Sequence, residues 1–108
     1  MARTGGGTPY AIGTTIQTAD ISTTTALIAA TAGRTYSVKS LTISVTAACI
    51  ITLESSAGTD LMQFTLPARG GVALEWDPGE LEAATGVGFS ILSSTADDVS
   101  VHSTFWYK

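Results

Sequence analysis

Four carboxylates fall within eight residues of this sequence, at Glu75, Asp77, Glu80 and Glu82. Paired carboxylates do acid–base work when burial pushes their pKa values apart, and Ca²⁺ is held by a dense cage of oxygens, as in the Asp-rich twelve-residue loop with its central glycine. Neither pattern is spelled out here. Glu75 and Asp77 alternate with Val72, Leu74 and Trp76, so they point out of a strand whose apolar side chains point in. Glu80 and Glu82 belong to the segment that follows. The four read as a solvated face and a connector, with no metal site and no catalytic pair expected. Arg69-Gly70-Gly71 just upstream has the composition of a nucleic-acid-binding tail. It occurs once, after Pro67 and between two alternating segments, which makes it a hairpin turn with Gly70-Gly71 at positive φ.

The remaining reactive types are few. His102 is the single histidine and Cys49 the single cysteine, too few to build a zinc site. No G-x-S-x-G surrounds any serine. Gly5-Gly6-Gly7 is not followed by a lysine and a helix, as a phosphate loop requires. Cys49 lies in an apolar strand and reads as a small core residue. No catalytic constellation and no cofactor site emerges, so the expectation is a protein that is not an enzyme and acts through its surfaces.

Composition narrows those surfaces. Of 108 residues only 13% are charged, against about 25% in an average soluble domain. Ser and Thr supply the polarity instead, and Thr suits a pleated surface. The net charge is −4 and the five basic residues, Arg3, Arg34, Lys39, Arg69 and Lys108, are scattered. That argues against a nucleic-acid partner, which needs clustered cations. One cysteine excludes an intrachain disulfide. MARTGGGTPYAIGTT has no apolar run of signal-peptide length, and no segment approaches 18 consecutive apolar residues, so no membrane span is expected.

These side chains must be positioned by short strands. Residues 1–13 are rich in glycine and read as an extended N-terminal arm, or else a frayed terminus. An arm that docks on a neighbouring subunit needs anchors, for which Tyr10 and Ile12 are the only candidates. Residues 14–108 form a single β-sandwich domain, beginning with a short edge strand over Thr14–Thr18. Thr25–Ala30 follows, then a turn at Ala32-Gly33. In the long strand Arg34–Thr46 the apolar phase slips by one, from Tyr36 and Val38 to Leu41, Ile43 and Val45. A bulge at Lys39-Ser40 absorbs such a slip. Further alternating sets are Cys49, Ile51 and Leu53; Met62, Phe64 and Leu66; Val72, Leu74 and Trp76; and Val87, Phe89 and Ile91. Asp77-Pro78-Gly79 closes one strand, and Glu80–Thr85 is a connector with room for one helical turn.

The last strand carries Val99, Val101, Phe105 and Tyr107 on one face, with Ser103 the polar exception. Seven or eight such strands predict two packed antiparallel sheets, an all-β sandwich of jelly-roll or Greek-key type. The expected core is Leu41, Ile43, Val45, Ile51, Leu53, Phe64, Leu74, Trp76, Phe89, Ile91 and Val101. Trp106 falls on the opposite, polar face of the last strand with Ser100, His102 and Thr104. A large aromatic there is either a contact residue, since Trp is enriched at interfaces, or is tucked under a loop. The candidate interface residues are therefore Tyr10, Ile12, His102 and Trp106.

The order of these elements resembles small β-sandwich structural proteins of tailed bacteriophages, closest to the head decoration or cement proteins. The resemblance rests on the LESSAGT turn, the LPARGGVALEWDP segment, LEAATGVGFSI and the strand ending in FWY, and covers most of residues 34–107. It implies a virion structural protein without enzyme activity, made in the host cytoplasm and placed on the capsid exterior. Its implied partners are the major capsid protein and copies of itself, with a homotrimer preferred. A reading of another class, a tail, fibre or carbohydrate-binding sandwich, needs outward aromatics, for which Trp106 and Tyr10 qualify. A cupin-like jelly-roll enzyme needs several histidine ligands, and the sequence has one.

Overall fold

Threonine-rich alternation leaves one face of each strand apolar, and two such sheets bury it by stacking. The structure, a computed structural model, describes residues 10–108, and of residues 10–12 and 14–19 it describes the backbone alone. Eight strands follow in order: β1 (Tyr10–Asp20), β2 (Thr25–Ile28), β3 (Tyr36–Val45), β4 (Cys49–Ser55), β5 (Asp60–Leu66), β6 (Gly71–Glu75), β7 (Phe89–Ser93) and β8 (Asp98–Tyr107). They form two four-stranded antiparallel sheets, ordered β1-β8-β3-β6 and β2-β7-β4-β5. Only β4 and β5 are consecutive neighbours in one sheet; every other connection passes between the sheets. This is the eight-strand double Greek key of the jelly roll.

β1 is longer than the expected Thr14–Thr18. Its backbone pairs with β8 from Tyr10 opposite Tyr107 to Asp20 opposite Asp98, so residues 10–13, read above as arm, lie in the sheet. Residues 1–9 of that arm lie outside the described residues. The bulge in β3 is where the phase slip placed it, with the register to β8 shifting between Val38 and Ser40. It lets Tyr36, Val38, Leu41, Ile43 and Val45 all enter the core. There Phe89 and Phe105 are fully buried and their rings stack at 5.3 Å. Cys49 is buried as a small core residue.

Three expected core residues, Phe64, Leu74 and Trp76, are only half-buried. The cause is topological. β5 and β6 are the outermost strands of their sheets, so their inward faces are covered on one side only.

The Pro67–Gly71 turn also differs from expectation. It is no hairpin, because β5 and β6 belong to different sheets; it is a corner carrying the chain across the sandwich. Positive φ falls on Arg69, at 60°, and not on Gly70 or Gly71. Those glycines answer to crowding instead. A Cβ on Gly70 would lie 2.8 Å from the Pro67 carbonyl oxygen, and one on Gly71 2.6 Å from that of Ile43. The Glu80–Thr85 connector has no helical turn. It runs along β3, with Val38 N–H donating to Leu81 O (2.9 Å) and Ala83 N–H to Tyr36 O (3.0 Å).

At the β4–β5 hairpin Glu54 stands opposite Asp60. Partial desolvation, then the neighbouring Asp60 carboxyl, raise the Glu54 pKa above its ordinary value. A folded-state pKa above the unfolded one favours the fold at low pH, and that contribution is lost as pH rises through the folded pKa. Glu54→Gln is therefore expected to flatten the fall in stability just above the ordinary carboxylate range, read as urea midpoints at several pH values. An unchanged profile counts against the pairing. Phe89→Ala is expected to cost about 3–5 kcal/mol and Phe64→Ala distinctly less, by the same measurement; equal losses would place Phe64 in the core. A side chain in the left-handed region costs about 1–2 kcal/mol, and glycine's looser unfolded state returns about half of that. Arg69→Gly should therefore stabilise the fold by about 0.5–1 kcal/mol, and a destabilised variant would contradict the strained corner.

Candidate functional site

The bulge that keeps β3 in phase also displaces Lys39 from the alternation. Its carbonyl accepts a hydrogen bond from Trp76 N–H at 2.9 Å, which fixes the chain where it leaves β6. The Trp76 carbonyl in turn accepts from the indole N–H of Trp106 at 3.3 Å. The two tryptophans are thus tied through β3, which lies between β8 and β6. The Lys39 ammonium sits 5.1 Å from the centre of the Trp106 ring, within the range of a cation–π contact.

The turn after Trp76 closes the site. Glu80 N–H donates to Asp77 O at 3.1 Å, and Asp77 N–H donates back to a Glu80 carboxylate oxygen. Gly79 N–H reaches the buried Ser37 hydroxyl at 3.2 Å. This holds Asp77–Glu80 against β3 beside Trp106. Lys39, Glu75, Trp76, Asp77, Glu80 and Trp106 together line a solvent-open cleft of about 340 Å³, at the small end of ligand-sized pockets.

Three carboxylates and one ammonium surround one indole there. The hydrogen bond from its N–H favours one setting of the indole, at the side of a cleft lined by carboxylate acceptors. That arrangement takes a planar cation by stacking and paired hydrogen bonds, or a hydroxyl-bearing ring by stacking and donor contacts. No group of three or more His, Cys, Asp or Glu among the described residues is placed to share a metal ion.

Of the two candidate interface residues with described side chains, Trp106 lines the cleft and His102 does not. Trp106 is half-buried, both beneath the Asp77 turn and open to the cleft. His102 is exposed on the same face, between Thr15 of β1 and Thr42 of β3 in register. The backbones of Tyr10 and Ile12 pair with Tyr107 and Phe105; their side chains lie outside the described residues. Trp76, read as core, lines the cleft and lends it a carbonyl. Sequence reasoning did not place Lys39 in a site. Its signal was present as the phase slip, because a bulged residue is free to point away from both alternating faces.

No protein-family model matches the chain, and no curated protein matches it. Among solved structures it is similar to a Bacillus endospore appendage protein, from appendages that form a family of disulfide-linked pili. The identity is 14% and the TM-score 0.56, over 99% of this chain and 95% of that one. A chain of the virus-like particle of extra small virus of the giant freshwater prawn Macrobrachium rosenbergii aligns at 14% identity and TM-score 0.48, over 99% of this chain and 82% of that one. The first similarity shows that the fold recurs over nearly the whole chain.

Trp106→Phe keeps the ring and removes its hydrogen bond to Trp76. It is expected to cost about 1 kcal/mol in urea unfolding, with a changed tryptophan emission from Trp76. A variant as stable as the parent would show that the bond does not hold the cleft.

Proposed function

We propose that this chain is a virion structural protein, which decorates a phage capsid by binding the major capsid protein as a homo-oligomer, in preference a trimer. The observation that carries this reading is the outer face of the β1-β8-β3-β6 sheet. Ser100, His102 and Thr104 of β8 and Ser40, Thr42 and Ser44 of β3 make it a hydroxyl-bearing surface, ending in the Trp106 cleft. Such a surface packs against other protein at little desolvation cost, since few charges must be stripped of water. Chains of this fold also build polymers, as in the Bacillus appendages that form pili. Here the one cysteine, Cys49, is buried, so assembly proceeds by non-covalent contacts. On this reading the protein is not an enzyme, binds no nucleic acid and lies on the capsid exterior.

The test is binding to phage capsids assembled without this protein, using full-length chain, a deletion of residues 2–9 that spares β1, and Trp106→Ala. Full-length protein is expected to decorate the shells, and at least one variant to bind or oligomerise more weakly while melting normally. A full-length chain that stays monomeric, ignores capsids and is retained on a glycan column would replace this reading with the carbohydrate-binding one.

A further inference from the structure

We propose that the Trp106 cleft is a receptor for a guanidinium, and that its occupant is Arg69 of a second copy of this chain. The inference rests on the self-association proposed above and names the contact. Electrostatics set the class of ligand. Glu75, Asp77 and Glu80 line the cleft against the single ammonium of Lys39, leaving a local excess of two negative charges. The indole face already attracts a cation, since Lys39 lies over it at 5.1 Å. A guanidinium makes the better occupant, because its plane stacks on the ring while its fork pairs with a carboxylate in bidentate fashion. Lys39 then moves onto a neighbouring carboxylate, and its charge stays paired.

The source follows from the cations of the described residues. Arg34 is stacked on Tyr107 at 4.4 Å. Lys108 pairs with Glu82 at 3.7 Å. Lys39 is in the cleft itself. Arg69 is exposed and, among the described residues, has neither an ion pair nor a ring contact. It is held at φ 60° on the corner before β6, where glycine would fit more cheaply, so the sequence keeps an arginine at a backbone position that disfavours one.

Position makes the contact intermolecular. Arg69 N–H bonds Thr46 O just past the end of β3, whereas Trp76 N–H bonds Lys39 O in the first half of that strand. Donor and receptor are thus separated by seven residues of strand, roughly 23 Å, and no arginine side chain spans that distance within one copy. Given in one direction by each copy, the contact runs head to tail and closes a ring such as the proposed trimer; given and received by the same two copies, it would close a two-fold dimer instead, and the head-to-tail form is the one proposed.

Sedimentation velocity over a range of concentrations tests it, with Arg69→Ala, the shape-preserving double variant Glu75→Gln/Asp77→Asn, and Trp106→Ala, each checked by thermal melting. Wild type should form its oligomer, and each variant alone should associate at least about tenfold more weakly, as for loss of a central charged contact. An equimolar mixture of Arg69→Ala with the double variant retains one competent donor and one competent cleft. It should give dimers that do not grow to the wild-type size. Wild-type oligomers with the variants unaffected overturn this contact and leave self-association standing. A wild-type chain that is monomeric throughout overturns the self-association reading, and this contact with it.

Discussion

One extra residue in β3 governs both the core and the surface of this protein. Without the irregularity at Lys39, either Tyr36 and Val38 or Leu41, Ile43 and Val45 would face solvent, because side chains alternate strictly along a strand. With it, all five are buried. The same residue turns its carbonyl to Trp76 and its ammonium to Trp106. Core phase and cleft geometry are two results of a single backbone adjustment, so a change that repaired the alternation would damage both.

What the sequence made legible were features written locally. The strands, the bulge and the inward set of β8 with Ser103 as its polar member follow from period and composition, and each is found. What stayed hidden depends on partners far along the chain. Alternation says that Phe64, Leu74 and Trp76 share a face with buried neighbours. It does not say that β5 and β6 would end up outermost, where that face is only half covered. A proline–glycine turn between two alternating runs looks the same whether the runs pair in one sheet or cross to another, so the Pro67–Gly71 corner reads as a hairpin until the sheets are known.

The cleft was illegible for the same reason. Its described lining residues come from three stretches, at Lys39, at 75–80 and at Trp106, and meet because β3 has β6 on one side and β8 on the other. The carboxylates were readable as exposed, and Trp106 as an aromatic out of place on a polar face. Their adjacency was not readable, and adjacency is what turns an outward acidic strand end and a stray tryptophan into a pocket with a chemical preference.

The central place of β8 has a bearing on how the chain is made. This strand follows the seven other described strands, yet it lies inside its sheet, between β1 and β3. Until it emerges from the ribosome, β1 has no neighbour and β3 lacks one of its two. Vectorial synthesis favours domains whose early segments fold as they appear; here the nascent chain holds β1 unpaired and β3 with one open edge. Sheet closure and the appearance of Trp106 are one late event. The Trp106 cleft, which draws on β8, is therefore absent from the growing polypeptide until that strand is made.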